Sequence, residues 1–399
     1  MKVVLLSLLV TSVAGFTAPL ASTRSTTSNT SLHMSAALIV QNKGGGHGEL
    51  GFQLAKTLMG NEKITSITIL QDDACKDTAE PFKSYSTDLK DVTIVKASLS
   101  DEAMTAESLQ DLLGGKSFDY IWDNASKNPT GAGKAVVDSA KDWNSKLLTY
   151  VSSAGCYVPT DQFPMPETTP VKDSAGQVQY ENYATSQKLP FVSIRPQYIY
   201  GPNSNKNDYI DWFFDRICRD LPLPIPGDGT QKVSLTSSQD VATLLESVLN
   251  DEAAAVEQRV FNCGTDQLLS YNDVAHLCAA AANKEADIYY YDAAEFGKAT
   301  FPFRMTDFYV SPDTIKEKLG WAGAAHSLKD DLDEYYYDGY MASRGPADKQ
   351  IDLGKDWEIV IGSKASILGS ENVYDKWDPL VMGTSKAKEL NVDTGPKKE

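Results

Sequence analysis

Gly45, Gly48 and Gly51 fall on every third residue of Asn42-Lys43-Gly44-Gly45-Gly46-His47-Gly48-Glu49-Leu50-Gly51. Glycines at that spacing do one kind of chemistry. They allow a tight turn, let backbone N–H groups approach a pyrophosphate, and pack a helix closely on a strand, with the helix N-terminus facing the phosphates. The apolar Ala36 to Val40 before the turn and Phe52 to Met59 after it supply the strand and the helix. A second apolar run, Ile64 to Leu70, ends in Gln71-Asp72-Asp73, which places Asp72 21 residues beyond Gly51. An acid there suits the ribose diol of NAD better than the phosphate of NADP. The cradle so defined comprises Gly45, Gly46, His47, Gly48, Gly51 and Asp72, with His47 a phosphate-side or packing residue.

Alternating patterns continue downstream. Asp91 to Val95, Phe118 to Asn124, Lys146 to Tyr157 and Pro190 to Pro202 read as strands, and Ala106 to Leu113 and Gly133 to Trp143 as the helices between them. Such alternation predicts an α/β fold with a doubly wound parallel sheet of Rossmann type, its ligand groups gathered at the carboxyl ends of the strands. Asp123 stands at one such end and Ser153, in Ser152-Ser153-Ala154-Gly155, at another. Asp123 either contacts a ribose or caps a turn, and Ser153 either meets the substrate or caps its own turn.

The glycine spacing and the strand-end serine resemble the extended short-chain dehydrogenase/reductases. In that class a tyrosine and a lysine four residues later move a proton, the lysine lowering the tyrosine pKa. The stretch Gly176 to Lys188 breaks the pattern: Tyr180 meets Ala184, Tyr183 meets Gln187, and Lys188 lies five residues after Tyr183. The scaffold is present without its usual proton-transfer pair.

Beyond residue 200 a smaller C-terminal α/β lobe is expected to residue 345. Asp208 to Arg219 has helical spacing with Trp212, Phe213 and Ile217 toward the core, while Leu221 to Gly229 is too rich in proline for a helix. Residues 346–399 read as an appended, partly disordered tail. Residues 35–200 form the expected dinucleotide-binding core. Ahead of it stands a two-part leader, 1–34: a signal peptide over 1–15 whose apolar run is too short to span a membrane, then a Ser/Thr-rich, transit-like stretch over 16–34 with no acid. A simple secreted protein with a propeptide is the alternative.

Five widely spaced cysteines signal neither a disulfide framework nor a zinc site and suit a reducing compartment. The net charge is −17, and removing the leader takes away Lys2 and Arg24 but no acid. Polyanions usually bind through Lys and Arg, so a nucleic-acid partner would need a local basic face, another subunit or a divalent ion.

Several strings together resemble one family within the extended class, the chloroplast stem-loop-binding proteins. They are Gly45-Gly46-His47 with Leu50-Gly51-Phe52, Asp123-Asn124, Ser152-Ser153-Ala154-Gly155, Arg195-Pro196-Gln197-Tyr198, Asp211 to Ile217, Pro224-Ile225-Pro226-Gly227, Phe261-Asn262-Cys263 and Phe301-Pro302-Phe303-Arg304. The resemblance spans Ala36 to Tyr340. It implies a plastid stromal protein that binds stem-loop RNA and ribosomes, acts in transcript or rRNA processing or stability, and forms homo- or hetero-oligomers. Divalent-metal-dependent endoribonuclease activity, with Mg as the ion, is attributed to the family, as is loss of the Tyr/Lys pair. Asp72, Asp73 and Asp123 are the conceivable metal ligands, and no catalytic residue carries over. An NAD-dependent sugar-nucleotide epimerase or dehydratase is the alternative activity.

Overall fold

The computed structural model describes residues 35–44, 49–100, 102–204, 206–347, 349 and 351–360. The expected leader, Gly45, Gly46, His47 and Gly48, and residues 361–399 lie outside them.

Seven parallel strands make the main sheet: β1 Ser35–Gln41, β2 Ile64–Asp72, β3 Thr93–Ala97, β4 Tyr120–Asn124, β5 Leu147–Val151, β6 Phe191–Pro196 and β7 Val260–Cys263. Their order is β7-β6-β5-β4-β1-β2-β3. The strand order therefore reverses between β1 and β4, which opens a crevice at the carboxyl ends of those two strands. β1 shows why the sheet is covered on both faces. Ala37 and Ile39 join one core, with Phe52, Leu58 and Leu245, while Leu38 and Val40 join another, with Val136, Tyr150 and Tyr180. A strand buried on both sides needs an unbroken apolar run rather than alternation, and Ala-Ala-Leu-Ile-Val supplies it. Helices α1 Leu50–Met59, α2 Ala106–Leu112, α3 Gly131–Asp142 and α4 Gly176–Ser186 complete this part.

The second lobe is built on α5 Asp208–Ile217, which buries Trp212, Phe213 and Ile217 as its spacing predicts, packed with Tyr271, Phe301, Phe303, Leu332 and Tyr340. The proline-rich segment forms a short strand, Leu223–Pro226, paired with Ile288–Tyr291. Two features differ from a simple division at residue 200. β7 returns to pair with β6, and α6 Ser238–Glu246 packs on α1. The indole of Trp122 on β4 donates to the Leu245 carbonyl at 3.1 Å, tying α6 to the sheet. A four-residue strand carries too little pattern to show which sheet it joins; burial of Phe261 and Cys263 in the core with Ile194 and Val241 decides it. Residues 351–360 also pack on the second lobe, burying Leu353, Trp357, Ile359 and Val360 with Leu221 and Tyr291.

All five cysteines are free, and Cys156, Cys263 and Cys278 are buried. No helix among the described residues is long and apolar enough to cross a membrane.

Candidate functional site

Above the switch point lies a cleft of about 510 Å³, lined by Asn42, Gly44, Asp72, Asn124, Asn128 and Gln177 among others. Close packing shapes its walls. At Gly51, in the first turn of α1, a Cβ would stand 2.5 Å from the buried Gln41 side chain, so only glycine brings α1 this near β1. At Gly133 in α3 a Cβ would fall 2.3 Å from the Asn128 carbonyl oxygen.

Asp72, at the end of β2, lines the cleft with a half-buried side chain whose Oδ1 accepts from the Ala74 N–H at 3.0 Å. Asp123 is different. It is fully buried, Oδ1 accepts from the Ala125 and Ser126 N–H groups at 3.0 and 2.9 Å, and Oδ2 accepts from the Tyr180 hydroxyl at 2.8 Å. Burial raises its pKa, while the bonds from Ser126, Ala125 and Tyr180 pull it down. Asn124 and Ala125, rather than Asp123, line the cleft at this strand end. Ser153 caps the short turn Ala154–Cys156, accepting from the Gly155 N–H at 3.0 Å.

Neither tyrosine of α4 reaches the cleft. Tyr180 stacks on Tyr150 with ring centroids 3.9 Å apart and is spent on Asp123. The hydroxyl of Tyr183 donates to Asp138 on α3. Lys188 lies past the helix with a left-handed φ of 59°. The α4 side chain that lines the cleft is Gln177, a neutral amide that cannot lower a tyrosine pKa as an ammonium does.

Behind the cleft wall lies a buried polar cluster. Ser152 and Ser193 donate to Glu181 Oε1 at 2.7 and 2.6 Å, and the guanidinium of Arg195 grips both Glu181 oxygens. Its members come from the residue that follows β5, from α4 and from β6, so no local spacing reveals it.

Glu49 at the head of α1 is a second buried acid. It accepts from Gln53 Nε2 at 2.6 Å and from the Asn203 N–H at 3.0 Å, joining the glycine turn to the 201–204 loop. Burial pushes its pKa up to about 7, opposed by those bonds and by Lys56. A carboxyl raised in the fold stays protonated while the unfolded chain ionises, so stability falls as pH rises from about 4.5 to about 7. Ionisation then costs the fold about 3 kcal/mol above that window. Glu49→Gln is expected to flatten the decline in denaturant midpoint between pH 5 and pH 8; an unchanged pH slope would contradict it.

Among the described residues no group of three or more His, Cys, Asp or Glu side chains is placed to hold a metal ion. Asp72, Asp73 and Asp123 do not form one.

The family model described as NAD dependent epimerase/dehydratase family matches residues 44–264. The chloroplast stem-loop binding protein of 41 kDa b from Arabidopsis thaliana is 31% identical over 286 residues, 69% of each chain. Among solved structures, dTDP-glucose 4,6-dehydratase from Bacillus anthracis in complex with NAD is similar at 16% identity, with a TM-score of 0.60 over 76% of this chain and 97% of that one. UDP-glucuronic acid 4-epimerase from Bacillus cereus in complex with NAD is similar at 16% identity, with a TM-score of 0.59 over 78% and 99%. At such identities these two establish the fold.

Proposed function

The chain belongs to the NAD dependent epimerase/dehydratase family and to its chloroplast stem-loop binding branch, and on that premise we propose that it is a plastid RNA-binding protein acting in transcript or rRNA processing or stability. One observation carries the choice against a sugar-nucleotide enzyme: the cleft is intact, yet α4 offers it Gln177, with Tyr180 locked to Asp123. The named relative supports RNA as the partner and the plastid as the compartment. The plastid ribosome is the expected setting, and residues 1–34 the route.

NAD fits the cleft. Asp72 would take the ribose diol, and the turn through Gly45, Gly46, His47, Gly48 and Gly51 would hold the pyrophosphate. Bound NAD supplies a hydride acceptor. Without a proton-transfer pair beside it, the dinucleotide serves this chain as a structural or regulatory ligand.

The test is binding of a labelled stem-loop RNA across a salt series, with and without magnesium, alongside NAD titration and assay of UDP- and dTDP-hexoses. Expected are salt-dependent RNA binding, NAD binding and no turnover of the hexoses. RNA cleavage with magnesium would add an endoribonuclease activity. Asp72→Ala should weaken NAD about tenfold or more, the value of a charged hydrogen bond, and leave RNA binding unchanged. Absence of RNA binding with NAD retained would overturn the proposal in favour of the small-molecule enzyme.

A further inference from the structure

Acids outnumber bases by 17, and many described lysines and arginines are tied to carboxylates. Four cations around the Ser153 turn and the adjoining lobe are not: among the described residues no carboxylate lies within ion-pair distance of Lys172, Arg304, Lys298 or Lys206. Lys172 Nζ donates to the Gly155 carbonyl at 3.1 Å. The guanidinium of Arg304 approaches the same residue, since a Cβ on Gly155 would stand 3.7 Å from its Nη2. Arg304 Cζ lies over the Phe308 ring, 3.6 Å from the centroid. Lys298 and Lys206 share a groove of about 470 Å³ in the second lobe, where Lys206 Nζ sits 5.1 Å over the ring of Tyr209.

These charges repel one another. The Lys298 pKa is lowered by burial first and then by Arg304 and Lys206. Like charges gathered with no carboxylate in ion-pair contact are destabilising, and a bound anion relieves them. Asp208, Asp215 and Asp352 also line the groove. Asp215 is already neutralised by Lys349 and Arg219.

We propose that Lys172, Arg304, Lys298 and Lys206 form a track for the phosphodiester backbone of RNA, running from the Ser153 turn at the cleft into the second lobe. This rests on the RNA-binding function proposed above and says where the RNA lies. A row of spaced single cations suits successive phosphates of one strand. Arg304 and Lys206 each sit over an aromatic ring, Phe308 and Tyr209, which fixes where the two charges stand. It also explains how an acidic protein holds a polyanion: one basic face is enough, because counterion release depends on local phosphate contacts.

The test compares the full chain with the variant Lys172→Gln/Lys206→Gln/Lys298→Gln/Arg304→Gln and with a control, Lys76→Gln/Lys90→Gln/Lys116→Gln/Lys318→Gln, which makes the same charge change on exposed lysines elsewhere. Each phosphate contact contributes about 0.7 to the slope of log affinity against log salt for a single strand. The track variant should therefore lose about 3 units of slope and bind stem-loop RNA on the order of 10²-fold more weakly at low salt. The control should keep its slope. Lys172→Gln/Lys298→Gln, which leaves Arg304 on Phe308, should show about half the effect, and thermal unfolding verifies that each variant is folded. Equal weakening of variant and control would reduce the effect to net charge and overturn the track. So would loss of UDP-glucose binding with RNA binding intact, since the cations would then serve a nucleotide diphosphate. Wild-type protein that binds no stem-loop RNA would remove the RNA function itself, an outcome distinct from a track variant that binds as the wild type does.

Discussion

Replacing Asp356 by alanine is expected to destabilise the protein by about 3–5 kcal/mol, because it strands a buried guanidinium. Arg216 on α5 is 2% exposed and Asp356 is wholly buried. The Asp356 carboxylate accepts from Arg216 Nε through Oδ2 and from the Thr300 hydroxyl through Oδ1 at 2.7 Å. The same guanidinium donates to the Trp212 carbonyl at 2.8 Å and lies over the Trp212 indole, 3.8 Å from the centroid. All these partners stay when Asp356 is lost, except the one that neutralises the charge. Urea unfolding should show the loss as a lowered midpoint. The double variant Arg216→Met/Asp356→Leu should recover most of it, since a buried ion pair is often replaceable by apolar groups of similar volume. A cost for Asp356→Ala below about 1 kcal/mol would mean that residues 351–360 are not anchored to the second lobe.

That anchoring explains what the sequence could and could not reveal. The glycine turn, the β1 apolar run and the placing of Asp72 at the end of β2 are local signals, each read within about 40 residues, and the parallel sheet follows from them. The missing Tyr/Lys pair is equally local. Arg216 and Asp356 are separated by 140 positions, and after Gly345 the apolar residues Leu353, Trp357, Ile359 and Val360 are too few to announce a packed helix. Val260 to Gly264 reads as a short strand, but its place in the main sheet does not show, because its pairing with β6 depends on residues about 67 positions away. Asp123 shows a third limit. Its type and strand-end position fit a ribose contact, and only its burial and the Tyr180 hydroxyl below it reveal that both its oxygens are occupied. Spacing tells which groups reach a strand end; packing decides which of them turn outward.

Glu181→Gln should have a comparable effect, with a consequence at the cleft. Glu181 sits in α4 with its carboxylate between Ser152 at the end of β5 and Ser193 and Arg195 on β6. Arg195 is 5% exposed, and its guanidinium stands 5.0 Å over the Tyr157 ring. Glutamine is nearly isosteric but offers one acceptor oxygen in place of two and presents an N–H₂ to the guanidinium. At least one donor loses its partner and Arg195 loses its neutralising charge, for about 3 kcal/mol or more. Ser152 lines the cleft, and its hydroxyl would be released to rotate into it. The variant should therefore show both a lowered urea midpoint and weaker NAD binding, whereas Asp356→Ala should lower the midpoint alone. Removing both charges, as Glu181→Gln/Arg195→Met, should restore stability more than NAD affinity, because Ser152 would still lack its carboxylate. If the single variant loses stability and keeps full NAD affinity, Ser152 is held by β5 itself and the cluster supports only the fold.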